Sequence, residues 1–345
     1  MKKILFIAPG NSIHAKRWVE FFNKRYEVTW ISFHKFNDHL EINKNNLIYL
    51  EYTKFNFFKC VFQLFKSVKK INPSVIHIHS VSKYLILSTL LILNNNYNFK
   101  IIATPWGSDI KLSFFLIKKV IYYLLGKIHL VTTDSFKLLD DLKKNNINVI
   151  KINFGIDTNL FKQSNTLNNY VFVNPRGFDD VYRPYTLLKS INLIKNKITN
   201  LKFILLGDGH EKNKILQFIN DNSLNNFIHI SNKLDSNKYI DLIQSSAGMI
   251  SCSISDAGIS SSIAEFMSCN KIIIATSNSD NPYWIKDKQN GFLFNNDDYH
   301  SLANILLNID KNINNINFKN RSLIIKENDI SNEMKKMDNV YIDFK

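Results

Sequence analysis

A turn of small polar residues joins a predicted strand to a predicted helix between Ser251 and Asn270. The mostly apolar residues 247–250 indicate a buried strand before the turn, and apolar residues after it recur at helical spacing. Small side chains and free backbone N–H groups at a helix start form an arrangement that binds phosphate. The residues expected to line this anion site are Gly258, Ile259, Ser260, Ser261 and Ser262.

Glu265 lies two turns into the same predicted helix, and a second strand follows at Ile272–Ala275. A carboxylate at this position can accept hydrogen bonds from a sugar diol while the helix start holds a diphosphate. The stretch therefore indicates a nucleotide-sugar site. Two ordinary explanations stay open, because serines often begin helices as simple N-caps and a glutamate on a helix is usually solvated.

Two arginines in the second half of the chain supply the cations that such a diphosphate needs. Arg176 follows the predicted strand Val171–Val173, and Arg183 comes seven residues later. Both are expected near the carboxyl edge of the sheet, where a guanidinium group can bind phosphate oxygens. The alternative for Arg183 is a plain surface cation.

The first half carries a separate set of candidate residues after its first predicted strand. Gly10 ends that strand, and His14 lies on the helix that follows. Both are expected at the carboxyl edge of the sheet, where open α/β folds bind ligands. Asn11 lies in the same turn, and Arg17 lies one helical turn beyond His14.

A loop after the predicted strand Phe99–Thr104 combines Trp106, Gly107, Ser108 and Asp109. An indole at a loop tip is normally buried or bound to another group. We therefore expect this loop to face the acceptor or to take part in catalysis. Alternatively, Trp106 plugs the domain interface and Asp109 caps the following helix, predicted over Lys111–Leu125.

Apolar β-forming segments alternate with helical patterns along the chain, which predicts parallel, doubly wound α/β sheets. The strands predicted in the first half are Ile4–Ala8, Val28–Phe33, Val75–His79, Phe99–Thr104, Ile128–Thr132 and Val149–Ile152. Those predicted in the second half are Val171–Val173, Lys202–Leu206, Phe227–Ile230, 247–250 and Ile272–Ala275. The weakly patterned segment Lys162–Asn169 predicts a boundary between domains at 1–162 and 163–325. A helical tail at 326–345 is expected to pack back toward the first domain.

The composition fits a cytoplasmic two-domain protein. A length of 345 residues accommodates two domains, and 45% apolar residues supply their cores. Three cysteines without metal-ligand spacing argue against a disulfide framework and for a reducing compartment. The apolar start ends at Ala8 before a glycine turn, which fits a first strand better than a signal peptide. The longest apolar run, Tyr84–Leu93, is too short to span a bilayer.

The basic charge is concentrated in the first half of the chain. Residues 1–165 contain 24 Lys and Arg against 10 Asp and Glu, whereas residues 166–345 contain 20 against 19. The predicted helix Phe55–Ile71 interleaves aromatic residues with lysines, so it can lie on an anionic membrane. Nucleic acid is not expected as a partner, because no recognition motif accompanies the lysines. The alternatives are packing of this helix on its own sheet and a simple lysine and asparagine bias.

Several short motifs, in order along most of the chain, resemble the family-4 glycosyltransferases of the GT-B fold, in particular bacterial cell-surface polysaccharide members. The motifs in the first half are Gly10–Trp18, Thr104–Ile110, Thr133–Ser135 and Asn153–Asp157 with Phe161. Those in the second half are Pro175-Arg176, Gly207-Asp208-Gly209, Ala264–Ser268, Trp284-Ile285 and Asn290-Gly291. The resemblance implies two Rossmann-like doubly wound domains that face a central cleft, with the acceptor on the first and the nucleotide sugar on the second.

The chain departs from the family pattern at positions that face the donor sugar. The first of two glutamates that the family often has falls on Ala257, beside Asp256. Tyr283 stands where a glutamate commonly precedes Trp-Ile. The cation pair of the family corresponds here to Arg176 and Arg183, at a longer spacing than usual.

The resemblance implies a retaining hexosyltransferase that moves a sugar from a nucleotide-diphosphate donor to a hydroxyl of a glycan or lipid-linked acceptor. The catalytic residues that it implies are Arg176, Asp109 and His14. The implied donor-binding residues are Glu265, Gly258, Ile259, Ser260, Ser261, Ser262, Arg183, Gly207, Gly209 and Asp256. The implied acceptor-binding residues are Gly10, Asn11, Arg17, Trp106, Gly107 and Ser108.

No metal or other cofactor is expected, because arginine and helix N–H groups supply the positive charge and no metal-ligand cluster is visible in the sequence. The expected location is the cytoplasm, with peripheral attachment to the inner face of the cytoplasmic membrane. Two other functions stay open. One is a GT-B sugar-nucleotide epimerase or hydrolase, and the other is a catalytically silent nucleotide-sugar-binding protein.

Overall fold

The computed structural model describes residues 1–37, 40–94, 98–111, 114–163, 170–232, 234–256 and 258–344. The chain divides into two units, one formed by Met1–Phe154 with Asn332–Lys345 and the other by Gly155–Ser331. Each unit is built on one parallel sheet with helices between the strands, which confirms the predicted α/β class. No helix in the described ranges is both long enough and apolar enough to cross a membrane.

The first unit contains a seven-stranded parallel sheet. Its strands are β1 (Lys3–Ile7), β2 (Glu27–Ser32), β3 (Leu47–Tyr49), β4 (Val75–His79), β5 (Lys100–Thr104), β6 (Leu130–Thr133) and β7 (Val149–Lys151). They lie in the order β3-β2-β1-β4-β5-β6-β7. Every residue of β4 is buried, as expected of a central strand that is covered by helices on both faces.

Within the described residues, seven helices connect these strands. They are α1 (Ile13–Asn23), α2 (Phe57–Ile71), α3 (Lys83–Leu87), α4 (Thr89–Leu93), α5 (Ser108–Lys111), α6 (Phe115–Leu125) and α7 (Phe136–Lys144), with short 3-10 helices at Lys44–Asn46 and Lys54–Asn56. The Ser12 side chain caps α1 by accepting the backbone N–H groups of His14 and Ala15. Helices α2, α3, α4, α6 and α7 share a single core with the sheet, so they form one layer.

The second unit contains a six-stranded parallel sheet. Its strands are β8 (Val171–Asn174), β9 (Lys202–Leu206), β10 (Ile228–Ser231), β11 (Gly248–Ser251), β12 (Ile272–Thr276) and β13 (Phe292–Phe294), in the order β10-β9-β8-β11-β12-β13. Its helices are α8 (Pro184–Ile194), α9 (Lys212–Asp221), α10 (Ser236–Ser245), α11 (Ser261–Ser268), α12 (Asn281–Trp284), α13 (Tyr299–Asn312) and α14 (Arg321–Asn328). Short 3-10 helices lie at Asp180–Tyr182 and Ile313–Asn315.

The division between the units falls at Phe154/Gly155 and Ser331/Asn332 rather than at residues 162 and 325. Residues 155–162 belong to the second unit because the Arg321 guanidinium donates to the carbonyls of Thr158 and Phe161, each at 2.8 Å. Ile156 also pairs with Asp329 in a parallel bridge. Residues 164–169, which belong to the predicted linker, lie outside the described residues.

A final helix, α15 (Ile330–Asp343), contributes its residues from Asn332 onward to the first unit. Asp338 accepts hydrogen bonds from Arg25, at 2.5 Å, and from the Tyr26 hydroxyl, at 2.6 Å. Tyr341 is fully buried, and its hydroxyl shares a hydrogen bond with His77 Nδ1. This bond is the first of a buried series of hydrogen bonds that crosses three strands. His77 Nε2 shares a hydrogen bond with Thr104 Oγ1 at 2.7 Å, and Thr104 Oγ1 shares one with Thr132 Oγ1.

Candidate functional site

The second unit has a topological switch point between β8 and β11, because connections run one way along the sheet before this pair and the other way after it. In open α/β sheets, ligands bind outside the carboxyl ends of the strands at such a point. Arg176 follows β8 by two residues, and residues 252–256 and 258–260 follow β11. The strand order therefore brings these two segments to one edge of the sheet.

Arg176 is held in a fixed orientation at this edge. Its Nη2 donates to Asp256 Oδ1 at 2.6 Å and lies 3.5 Å from Ser253 Oγ, while its guanidinium carbon lies 4.7 Å from the centre of the Tyr182 ring. Both members of the ion pair are largely buried, with 16% of the Arg176 side chain and 7% of the Asp256 side chain exposed. Arg176 Nε has no hydrogen-bond partner among the described residues. The guanidinium thus keeps donor capacity for an anion.

Glu265 lies on α11 with only 7% of its surface exposed. The Tyr239 hydroxyl, from α10, donates to Glu265 Oε2 at 3.1 Å. Burial, and then the negative charge of Glu265, raise the pKa of Tyr239 far above its ordinary value, so this hydroxyl stays protonated and acts as a donor. The positive charge of Arg176 opposes that shift, so Arg176 and Glu265 both act electrostatically on the Tyr239 hydroxyl.

The start of α11 is built by the serines that the sequence singles out. Ser260 has extended backbone angles and accepts the Ile263 N–H on its Oγ, 3.4 Å away, which makes it the N-cap. Its hydroxyl also lies 3.3 Å from that of Ser262. Gly258, Ser260 and Ser262 are buried, whereas Ile259 and Ser261 are partly exposed. A helix start of this kind directs backbone N–H groups away from the helix, toward an anion.

Gly207 and Gly209 let the loops after β8 and β9 approach each other closely. Gly207 has a φ of +126°, and a Cβ there would lie 3.2 Å from the Cα of Gly177. A Cβ on Gly209 would lie 2.7 Å from the carbonyl carbon of Phe178. The geometry of the two glycines therefore supports a structural role, in which they allow close packing against the loop that carries Arg176.

Arg183 has different surroundings from Arg176. It adopts a left-handed backbone conformation with φ 47°, and its Nε lies 3.4 Å from Asp297. The side chain is 40% exposed and lines a cavity of about 670 Å³ near the start of α8, together with Tyr185, Phe218 and Tyr299. Neither Arg176 nor Glu265 lines this cavity. These surroundings favour the alternative that Arg183 is a surface cation.

In the first unit, His14 is partly buried beside two aromatic rings. Its ring centre lies 4.9 Å from that of Phe154 and 6.1 Å from that of Trp106. Burial, and then the positive charge of Arg17, lower the pKa of His14 to about 4, so its imidazole is neutral near pH 7. A neutral imidazole can accept a hydrogen bond from a hydroxyl group. Arg17 itself is exposed.

The turn before α1 is tightly packed. Gly10 N donates to Ser32 Oγ at 2.8 Å, and a Cβ on Gly10 would lie 2.7 Å from the Phe36 ring. Asn11 is exposed beside it. The glycine therefore lets the chain turn against its neighbours at the end of β1.

Asp109 organises the loops after β4 and β5. Its carboxylate accepts the N–H of Val81 at 2.7 Å and the N–H of Trp106 at 3.0 and 3.1 Å. Burial raises the pKa of Asp109, against the lowering effect of these hydrogen bonds. The carboxylate is turned toward backbone groups, which supports a positioning role. Gly107 has a φ of +83°, and the side chain of Ser108 lies outside the described part of the structure.

His79 is a candidate residue that pattern reasoning missed. It ends β4, is fully buried, and lies 5.1 Å from Trp18 and 6.4 Å from Trp106, between ring centres. Among the described residues, neither of its ring nitrogens has a hydrogen-bond partner, nor do the indole nitrogens of Trp18 and Trp106. Burial, and then the His14 charge, lower the pKa of His79 to about 3. The His77-x-His79 spacing is the only sign of it in the sequence, and within an apolar run this spacing indicates no more than a buried strand.

The absence of a metal remains a prediction. Within the described ranges, one group of side chains brings potential metal ligands within 4.8 Å of one another, namely Asp180, His210 and Glu211. His210 is exposed and pairs with Asp179 at 2.8 Å, and this hydrogen bond raises the pKa of His210. Ion pairs of His210 with Asp179, Asp180 and Glu211 account for the group, in which Asp180 and His210 are exposed and Glu211 is partly buried.

Two protein-family models match consecutive parts of the chain. The model described as glycosyl transferase 4-like matches residues 3–136, and the model described as glycosyl transferases group 1 matches residues 156–321. An uncharacterized glycosyltransferase of Methanocaldococcus jannaschii is 24% identical over 252 residues, which are 61% of this chain and 60% of that protein. The chain thus spans less than two thirds of the length of the curated relatives that it matches.

Solved structures resemble this chain over 99% of its length. The HepE protein of Anabaena, in complex with UDP, is 15% identical with a TM-score of 0.81 and is covered over its full length. Sucrose-phosphate synthase of Thermosynechococcus elongatus is 13% identical with a TM-score of 0.81 and is covered over 99% of its length. At these identities the likeness shows the fold, and it confirms the predicted GT-B fold.

Proposed function

We propose that this chain, which belongs to the glycosyltransferases of group 1, transfers a sugar from a nucleotide-diphosphate donor to a hydroxyl of a glycan or lipid-linked acceptor. Its first half matches the glycosyl transferase 4-like model. We further propose that the anomeric configuration is retained and that the product belongs to a cell-surface polysaccharide or glycoconjugate. The observation that carries the proposal is the grouping of Arg176, Glu265 and Tyr239 at the switch point of the second unit.

Different members of this group would bind the two parts of the donor, its ribose and its diphosphate. Glu265 would accept hydrogen bonds from the ribose diol, with Tyr239 holding the carboxylate in place. The start of α11 and the guanidinium of Arg176 would bind the diphosphate. Negative charge grows on the diphosphate as the glycosidic bond breaks, and fixed donors aimed at developing charge usually make the largest contribution to catalysis. The structures of HepE with UDP and with UDP-glucose support a nucleotide donor of this type.

The acceptor hydroxyl would be bound by the first unit. His14 would accept its hydrogen bond, and the partly exposed Trp106, whose ring centre lies 6.1 Å from that of His14, would pack against the acceptor. Asp109 would hold the Trp106 loop against Val81 rather than touch the reacting atoms. The other residues proposed along this edge are Gly10, Asn11, Arg17, Gly107 and Ser108. No metal is required in this proposal, because Arg176 and backbone N–H groups supply the positive charge.

A catalytically silent nucleotide-sugar-binding protein is the second candidate, and one contact favours it. Asp256 forms a 2.6 Å ion pair with Arg176 and thereby neutralises the cation that would stabilise the leaving group. Ala257 stands where the family often has its first glutamate. A silent protein would bind the donor without turning it over.

A donor panel decides between these functions. Nucleotide sugars with different bases and sugars would first be screened by thermal stabilisation, since a ligand at about 100 times its Kd adds roughly 2.7 kcal/mol to stability. Stabilising donors would then be incubated with glycan and lipid-linked acceptors, and the product linkage would be read by NMR. Acceptor-dependent sugar transfer with retention is expected. Free sugar released without an acceptor would identify a hydrolase, epimerised donor an epimerase, and stabilisation without turnover the silent protein.

A further inference from the structure

An exposed, mostly apolar segment lies at the start of helix α6. All seven residues from Phe114 to Val120 are exposed, and five of them are large and apolar. Their exposed fractions are 81% for Phe114, 67% for Phe115, 69% for Leu116, 44% for Ile117 and 47% for Val120. The helix enters the core only from Ile121 onward. An apolar surface of this size without a partner marks an interaction site.

Helix α2 presents a second exposed apolar row. Its core face consists of Cys60, Val61, Leu64 and Val68. Three phenylalanines remain outside this face, with exposed fractions of 102% for Phe55, 84% for Phe58 and 66% for Phe62. The alternative that this helix packs only on its own sheet therefore leaves these three aromatic side chains unexplained.

The two rows lie in the same layer and at the same edge of the sheet. Helices α2 and α6 contribute to one core, and α3 packs between them with contacts to both. α2 ends at Ile71, just before β4 begins at Val75, so its first turns lie about 20 Å away, toward the carboxyl edge. α6 starts after the loop that follows the carboxyl end of β5. Both rows therefore lie on the edge that carries Trp106 and His79.

The surrounding charge is almost entirely positive. Residues 52–133 contain eleven lysines and a single acidic residue, Asp109, which is partly buried and turned toward backbone N–H groups. Lys59, Lys66, Lys69 and Lys70 on α2 are exposed, as are Lys118 and Lys119 on α6. A cavity of about 410 Å³ beside α6 is lined by Phe115, Lys118, Lys119, Tyr122, Asp141 and Asn145. It offers two ammonium groups next to an exposed ring.

We propose that this apolar-basic surface, formed by residues 55–62 of α2 with its preceding turn and residues 114–120 at the start of α6, docks the first unit on an anionic lipid bilayer. The aromatic and aliphatic side chains would enter the region between headgroups and acyl chains, and the lysines would bind lipid phosphates. A second copy of the chain is a poor occupant, because matching surfaces would bring lysines against lysines. The proposal concerns lipid binding alone and holds whether or not the chain transfers a sugar.

The experiment is co-sedimentation of the full chain with vesicles, with neither donor nor acceptor present. Vesicles of phosphatidylglycerol and phosphatidylcholine should bind the protein, binding should fall steeply with salt, and pure phosphatidylcholine should bind little. The variant F115S/L116S should weaken binding roughly 100-fold, because each side chain would lose most of its apolar burial. K118Q/K119Q should weaken it roughly 30-fold at low salt, since each lysine near an anionic surface contributes about fivefold.

Matched controls lie on the second unit. L193S/L216S replaces two apolar side chains that are 49% and 40% exposed, and K214Q/K238Q replaces two exposed lysines. These variants should bind vesicles within about twofold of the unchanged protein. A polarity-sensitive dye on L116C should shift its emission to the blue with anionic vesicles, since Cys60, Cys252 and Cys269 are buried and react poorly.

Several results would overturn the proposal. Binding that is absent at low salt, or equal on neutral and anionic vesicles, would contradict it directly. Unchanged binding by F115S/L116S and K118Q/K119Q, with the fold intact by circular dichroism, would place the contact elsewhere. Lipid-independent dimerisation that F115S/L116S abolishes would show that a second copy covers the surface, and tighter binding to nucleic acid than to vesicles would assign it to nucleic acid.

Discussion

Glu265→Gln should weaken donor binding while leaving the fold intact. The substitution preserves the shape of a side chain that is 7% exposed, and an amide oxygen can still accept the Tyr239 hydroxyl, which lies 3.1 Å from the carboxylate. Stability should therefore change little, and we expect the thermal midpoint to stay within about 3 °C of the unchanged protein. What the variant loses is the negative charge that a ribose diol would meet.

The expected size follows from the charge of the acceptor. A hydrogen bond to a charged group contributes about 1.5–3 kcal/mol, against about 0.5–1.5 kcal/mol for a neutral pair. Two bonds from one diol would lose together about 2–3 kcal/mol, which is roughly a 30- to 150-fold rise in Kd. Isothermal titration with the donor that the panel identifies measures this value.

Two further variants make the measurement specific. Tyr239→Phe should raise the donor Kd only about 3- to 10-fold, because Glu265 keeps its charge but loses one group that orients it. Combining it with Glu265→Gln should add little, since both changes act on the same carboxylate. Glu327→Gln, on α14, serves as the matched control and should leave Kd unchanged. A Kd for Glu265→Gln within twofold of the unchanged protein would refute the ribose role.

Arg176→Lys should lower kcat roughly 100-fold and change KM much less, because a compact ammonium loses the planar contact with Tyr182 and the fixed pair with Asp256. Steady-state kinetics measures this, and a change confined to KM would make Arg176 a ground-state contact. Burial lowers the pKa values of His79 and His14 to about 3 and 4, so between about pH 6.5 and 4 the unfolded chain binds more protons and stability should fall as pH falls. Chemical unfolding across this range should show the loss, with a smaller slope for His79→Phe; an equal slope would contradict the assignment. Tyr341→Phe should cost about 1–3 kcal/mol of stability, because it leaves His77 Nδ1 buried without its partner. An unchanged urea midpoint would show that the His77–Tyr341 hydrogen bond does not stabilise the unit.

The sheet framework was readable from the sequence because parallel strands that are buried on both faces are continuous apolar runs. The strands β4 and β9 coincide with their predicted ranges, Val75–His79 and Lys202–Leu206. Strands of three residues carry little periodic signal, so β3 and β13 were missed and β7 (Val149–Lys151) was predicted one residue too long. The helix predicted over Lys111–Leu125 was placed too early, since α6 begins at Phe115. An apolar run gives no sign of where a helix leaves the core and enters solvent.

The candidate site was predictable only where its residues are close in sequence. The segment Gly258–Glu265 was recognised as a strand-to-helix turn because its glycine, serines and glutamate follow one another. The partners of these residues come from distant segments, as Arg176 pairs with Asp256 and Tyr239 with Glu265. Such pairs depend on the strand order, which local patterns do not encode. His79 was missed for a related reason. The sequence places its imidazole within a buried strand but does not indicate which other side chains lie beside it.

The return of α15 to the first unit sets an order of events during synthesis. The second unit is a continuous stretch, Gly155–Ser331, and can complete its core as soon as that stretch has left the ribosome. The first unit is interrupted, because Met334, Met337 and Tyr341 fill its interior from more than 170 residues further along the chain than Phe154. Although the strands of its sheet are synthesised first, the core of the first unit stays incomplete until α15 has been synthesised and has packed against it. We therefore expect a released chain that ends at Ser331 to be protease-resistant in the second unit and protease-sensitive in the first.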